Sequence, residues 1–184
     1  PSFGGRASSV IKVVQKDGNR NRTSFSGGLG LISARLMAEG PWLDNTGSFL
    51  ISARQSLYGL SLDSFDRSAL RTGTSFQDFN FKLNWQPNEN NTFYASSYIG
   101  ADRNKTGFDV IRRWGNRTAS IKWNHTLGRK FFSSYAFVMS NYTSRITDQI
   151  EAGSFIGRSN IFDYALKLNH QYFQNAHSRF DFGA

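Results

Sequence analysis

Apolar and polar residues alternate with a period of two along several stretches of this chain, and that period constrains the fold more than any other feature. Phe79, Phe81, Leu83 and Trp85 are separated by Asn80, Lys82 and Asn84. In an extended strand this puts the four apolar side chains on one face and the polar ones on the other. Ala119, Ile121 and Trp123 repeat the pattern against Ser120, Lys122 and Asn124, as do Phe162, Tyr164, Leu166 and Leu168 against Asp163, Lys167 and Asn169. Tyr135, Phe137 and Met139 make a further apolar row, with Val138 on the opposite face. Phe49, Ile51 and Ala53 alternate with Ser52, Arg54 and Ser56, and Leu50 is the exception. A usage of 17 Phe, 7 Tyr, 4 Trp and 17 Gly with only 3 Pro favours strands and turns over helices. The fold class expected is all-β.

The connections between these runs alternate in length. Tight polar turns are expected at Leu43 to Gly47, Asn88 to Asn91, Gly128 to Lys130 and Gln174 to His177, and long connections at Gly59 to Ser75, Arg103 to Trp114 and Arg145 to Arg158. Short turns on one side and long loops on the other are the asymmetry of an outer-membrane barrel. Ser24 to Trp42 is too long for one spanning strand of roughly 9 to 11 residues. It divides near Ile32 and Ser33 into Ser24 to Leu31 and Ser33 to Trp42. Nine strands result, the last ending at Ala184. Bacterial single-chain barrels have even strand numbers, so nine predicts that further strands are missing here.

A soluble sandwich would show the same alternation. The positions of the lysines and aromatics separate the two readings. Lys82, Lys122 and Lys167 fall mid-strand on the polar face, where a lumen tolerates them, whereas facing lipid each would cost about 2 to 4 kcal/mol. Trp42, Trp85, Phe93, Phe131, Phe132, Tyr172 and Phe173 flank the short turns; Tyr58, Phe76, Trp114 and Tyr142 flank the long connections. These predict two aromatic belts. No apolar stretch approaches the roughly 18 residues of a spanning helix, and a mean hydropathy of -0.47 is compatible with strands that have one polar face.

Several function classes drop out. The chain has no cysteine, so it holds no disulfide or thiolate site. Its net charge of +9 is spread along strands and connections, so nucleic acid is not expected as a partner. His125, His170 and His177 lack metal-ligand spacing, and Asp63 and Asp66 share their segment with Arg67 and Arg71 as an internally paired loop. No nucleophile elbow, phosphate loop or dinucleotide fingerprint occurs. Neither enzyme activity, a metal nor a cofactor is expected.

The segments GGRASSVIKVVQKDGN (Gly4 to Asn19), FSGGLGLISARLMAEGPW (Phe25 to Trp42) and GSFLISARQSLY (Gly47 to Tyr58) resemble TonB-dependent outer-membrane receptors. The closer likeness is to the Bacteroidetes type, which often carries a carboxypeptidase-regulatory-like N-terminal domain. WGNRTASIKWNH (Trp114 to His125) and FSSYAFVMSNY (Phe132 to Tyr142) resemble middle strands of the same barrels. The resemblance implies that residues 1–19 end a plug domain, with Gly4, Gly5 and Arg6 at the plug-barrel junction and Val10, Ile11, Val13 and Val14 in its final strand. Residues 20–23 would be a linker, and 24–184 the first strands of a transmembrane β-barrel that has 22 in this family. The N-terminus would then be periplasmic, matching the loop-length reading. Implied partners are outer-membrane lipid and lipopolysaccharide, the TonB-ExbB-ExbD complex through an N-terminal region not in this chain, and a surface lipoprotein lid.

Such a receptor binds a scarce ligand outside and imports it into the periplasm. Arg103, Lys105, Arg112, Arg113 and Trp114, against Asp109, make the candidate ligand-binding loop: four cations beside an aromatic suit an anionic ligand. The alternative is that they face anionic lipopolysaccharide headgroups. Two other functions fit the same fold: a receptor-like barrel serving as scaffold or accessory subunit of a larger outer-membrane assembly, and a diffusion porin.

Overall fold

Each alternating run pairs with the next in the antiparallel sense, so the chain folds back on itself strand after strand. The structure, a computed structural model, describes residues 13–57, 73–106, 110–150, 153–175 and 178–184. Nine strands follow in chain order: β1 (Ser24–Leu29), β2 (Ser33–Trp42), β3 (Gly47–Ser56), β4 (Gly73–Asn88), β5 (Asn91–Thr106), β6 (Val110–Leu127), β7 (Phe131–Ile150), β8 (Gly153–Phe173) and β9 (Arg179–Gly183). They form one sheet in that order, every neighbouring pair antiparallel. Among the described residues there is no helix. The protein is all-β, with the nine strands the sequence predicts.

The expected short turns at Leu43 to Gly47, Asn88 to Asn91 and Gly128 to Lys130 are present, and Gln174 to His177 lies partly outside the described residues. Leu43, Asp44 and Asn45 take positive φ between β2 and β3 (47°, 50° and 64°), and Gly128 does so between β6 and β7 (64°). The first strand ends at Leu29, two residues before the expected Leu31, because Gly30 already donates from its backbone N to Ser33 O at 2.9 Å and closes the turn.

Two of the expected long connections are strand in their described residues. β5 runs to Thr106 and β6 starts at Val110, so Arg103, Lys105, Arg112, Arg113 and Trp114 are ladder residues of a hairpin and not a loop. β7 runs to Ile150 and β8 starts at Gly153, which absorbs Arg145 to Arg158 in the same way. An antiparallel ladder is held by backbone hydrogen bonds, which continue where side chains stop alternating between apolar and polar. Gly59 to Ser75 lies outside the described residues apart from its last three positions, which belong to β4.

The register gives the sheet an apolar and a polar face. Ala38, Ile51, Phe81, Ser97, Ala119, Met139 and Tyr164 share one face in a single cross-strand row. Lys82, Ser96, Ser120, Val138 and Ala165 make a row on the other face, and Lys122 and Lys167 lie on that polar face as expected. The apolar face is bare: Leu36 is 70% exposed, Ile121 62% and Leu166 66%. Among the described residues the only buried hydrophobic side chain is Leu50.

Leu50 lies on the polar face, and its departure from the alternation has a local cause. Residues 13–23 cross that face over β3 and β4. Gln15 Nε2 donates to Asn80 Oδ1 at 2.7 Å, Lys82 Nζ donates to Gln15 O at 2.6 Å and pairs with Asp17 at 2.7 Å, and Arg20 donates to Gln86 Oε1 at 2.9 Å. Gly18 lies so close to the Phe49 carbonyl that a Cβ there would overlap it. Beneath the segment Asn84 and Ser48 are buried and bonded twice, Asn84 Nδ2 to Ser48 Oγ at 2.6 Å and Ser48 N to Asn84 Oδ1 at 3.1 Å.

The strands are staggered. One cross-strand row starts at Gly47, the first residue of β3, and passes through Trp85, Phe93, Trp123 and Tyr135 to Leu168, which is five residues inside the end of β8. An offset of about one residue per strand corresponds to a strand tilt of roughly 35° from the perpendicular to the line of turns, given ~3.3 Å per residue and ~4.8 Å between strands.

Candidate functional site

The apolar face changes chemistry from one end to the other. Next to the short turns it holds an aromatic ladder built by register. Phe93 stacks between Trp85 and Trp123 at 5.5 and 5.9 Å between centroids, Trp123 stacks on Tyr135 at 5.1 Å, and His170 lies 5.2 Å from Phe182 and 5.6 Å from Tyr135. Cross-strand neighbours on one face sit close enough for such contacts in every strand pair. Trp123 Nε1 donates to Asn91 Oδ1 at 2.9 Å, and His125 Nδ1 is 2.9 Å from the same oxygen. His170 Nδ1 meets Ser133 Oγ at 3.0 Å. These two histidines are ladder members with one polar neighbour each, and no metal-capable group of acids and histidines occurs among the described residues.

The second expected belt does not lie on this face. Phe76 and Trp114 both pair with Asp102 positions, and Tyr142 pairs with Asn116, which places all three on the polar face; Tyr58 lies outside the described residues. Sequence position near a strand end does not say which face a residue takes; the register decides that.

At the far end of the apolar face stand arginines. Arg103 pairs with Arg113, Arg113 with Arg145, and Arg145 with Arg158, so four guanidinium side chains form one row across β5, β6, β7 and β8. The four arginines line a groove of ≈ 810 Å³ together with Ala101, Gly115, Thr143 and Asn160, and with Arg117 and Asn141 on its far side. Between the arginines and the apolar band, Ala101, Gly115, Thr143 and Asn160 share a row.

The structure therefore divides the five candidate ligand residues. Arg103, Lys105 and Arg113 share the apolar face; Arg112 and Trp114 point to the polar one. Arg145 and Arg158 join the row, although in the sequence they bound a separate segment. Their equal distance from the β7–β8 turn was the available signal, since residues placed symmetrically about a hairpin turn pair across it. Gly4, Gly5 and Arg6, with Asp63, Asp66, Asp109 and His177, lie outside the described residues.

On the polar face at the same end, Arg54 and Asp78 form an ion pair with Nε to Oδ2 at 2.7 Å, and Tyr98 donates its hydroxyl to Asp78 Oδ1 at 2.8 Å. Arg54 also lies 4.8 Å above the Phe76 ring. Deeper on this face, Lys82 and Lys122 flank Tyr94 at 5.8 and 5.9 Å. Arg54 and Lys82 on the polar face thus have carboxylate partners, while among the described residues none of the four arginines of the row has one. In comparisons with known proteins the chain matches no family model, no curated protein and no solved structure.

Proposed function

We propose that the nine strands belong to the wall of an outer-membrane transport barrel, and more narrowly to a TonB-dependent receptor that takes a scarce extracellular ligand into the periplasm. The observation that carries this reading is the inverted burial. The apolar face is uncovered across the whole sheet, while the polar face holds the mid-strand lysines and residues 13–23. In water an apolar surface of this extent is a liability, and in a bilayer it is the lipid contact.

The dimensions agree. Ten residues separate Phe93 in the aromatic ladder from Arg103 in the arginine row. At ~3.3 Å per residue and a tilt of roughly 35° they span about 27 Å, close to a hydrocarbon core of about 30 Å. A bilayer accepts no unpaired sheet edge, so this reading requires strand partners at both open edges of the sheet. The segment 13–23, fastened to the polar face, corresponds in this reading to the end of a plug lying in the lumen. A lumen occupied in this way favours gated uptake over an open diffusion pore. The receptor then works by binding its ligand outside, sealing the lumen with the plug and displacing the plug with energy passed through TonB. No covalent chemistry is involved.

Cell fractionation followed by a nutrient-uptake assay tests the reading. The protein is expected in the carbonate-washed outer membrane, with migration on gels that changes on heating, and its deletion is expected to abolish a TonB-dependent uptake. Recovery in the soluble fraction would overturn the barrel assignment. Outer-membrane location with unimpaired uptake but defective surface-protein assembly would replace transport by a scaffold role.

A further inference from the structure

The four-arginine row poses an electrostatic problem that the uptake function leaves unanswered. Like charges directly opposite one another on neighbouring strands are destabilising, and here three consecutive strand pairs carry them. None of the four has an ion-pair partner among the described residues, and Arg145 Nε is buried without any hydrogen-bond partner. The described acids nearest the row along these strands, Asp102 and Asp148, belong to the polar face. The rows on either side bring no compensating charge, with Ala101, Gly115, Thr143 and Asn160 below and Lys105, Ile111, Thr147 and Ile156 above.

We propose that Arg103, Arg113, Arg145 and Arg158 bind the phosphate groups of an outer-leaflet lipid whose acyl chains lie along the apolar face below. The inference rests on the wall assignment above and names a partner for it. Three features fit this occupant. Arginine forks match phosphate oxygens in bidentate geometry, so one phosphate can neutralise two neighbours in the row. The groove beside the arginines, with Ala101 and Gly115 in its lining and Arg117 on its far side, leaves room for a headgroup. Beyond the groove one mixed row, Ile99, Arg117, Asn141 and Phe162, leads into the apolar band, where Met139 and Tyr164 are exposed. A soluble anion would need the cations only, whereas an amphiphile uses both halves of this surface.

The test is binding of diphosphorylated lipid A to the full-length protein in neutral detergent, against the same lipid with its phosphates removed and against inorganic phosphate. Variant R113Q/R145Q is expected to bind the phosphorylated lipid about thirtyfold more weakly, from roughly a fivefold contribution per arginine near a charged lipid surface. R158Q alone, at an exposed position, is expected to weaken it several-fold and covers the case in which the double variant fails to fold. R129Q, in the β6–β7 turn at the other end of the sheet, is expected to bind as the parent does. Equal binding of the phosphate-free lipid, or parent-like binding by R113Q/R145Q and R158Q, would overturn the proposal. So would displacement of the lipid by inorganic phosphate alone, which would assign the row to a soluble anion. Failure of the wall assignment is read separately, from the fractionation experiment, and a protein that is in the outer membrane but indifferent to lipid phosphate would refute only this inference.

Discussion

Over β3 and β4, residues 13–23 cover Leu50, Ser48 and Asn84 on the polar face, while on the other side of the same strands Ile51, Phe79 and Trp85 stand uncovered. In a water-soluble sheet the packed face would be the apolar one. Here the packed face is held by ion pairs and side-chain amides, and the apolar face is left to its surroundings. Cohesion within the sheet comes from the backbone ladder and the cross-strand rows, so the consequences of a substitution depend first on which face it enters.

Met139 and Ser140 provide the sharpest test, because they are adjacent in sequence and opposite in orientation. Met139→Arg is expected to cost about 2 to 4 kcal/mol in the protein refolded into lipid vesicles, while Ser140→Arg should cost less than about 1 kcal/mol. Equal costs in urea titrations would break the two-face description. Asn84→Ala removes both bonds to Ser48 and leaves Ser48 N buried without an acceptor, which is expected to lower stability by about 1 to 3 kcal/mol in the same assay. An unchanged unfolding midpoint would mean that the polar face does not depend on this pair.

Lys82→Met deletes the bonds to Gln15 O and Asp17 and is expected to loosen residues 13–23 by about 1 kcal/mol. Limited proteolysis would detect this as faster cleavage within the segment while the strands persist. The smallest effect is expected for Lys16→Ala. Its pair with Glu39 at 3.1 Å is largely exposed on the lysine side, so the loss should stay below about 0.5 kcal/mol and disappear in high salt. A larger penalty would show that the segment is fastened mainly at its edge.

The strands from Phe79 to Trp85, Ala119 to Trp123 and Phe162 to Leu168 were legible because each has one face in each environment, and the period of two records that difference directly. Leu50 broke the pattern because its cover comes from residues about thirty positions earlier in the chain, which no local window contains. The hairpin arms at Arg103 to Trp114 and Arg145 to Arg158 read as loops in the sequence because apolar residues there fall on both faces among charged ones, as Ile111 and Ile156 do on one and Ile146 and Phe155 on the other, leaving no contrast to alternate. For the same reason the candidate site was only half visible. Arg103 and Arg113 could be grouped by proximity in sequence, but grouping them with Arg145 and Arg158, and separating Arg112 and Trp114, needed the register of three strand pairs.

The stagger of the strands has a consequence for the arginines. Arg103 stands twelve residues from the turn-proximal end of β5, and Arg158 stands fifteen from that of β8. With a tilt of roughly 35°, the row therefore climbs about 8 Å between its two ends relative to the line of turns. It is a sloping shelf rather than a level collar. A headgroup carrying phosphates at two depths can rest along it, touching Arg103 with the deeper one and Arg158 with the shallower, so the two ends of one row would answer to different parts of the same molecule.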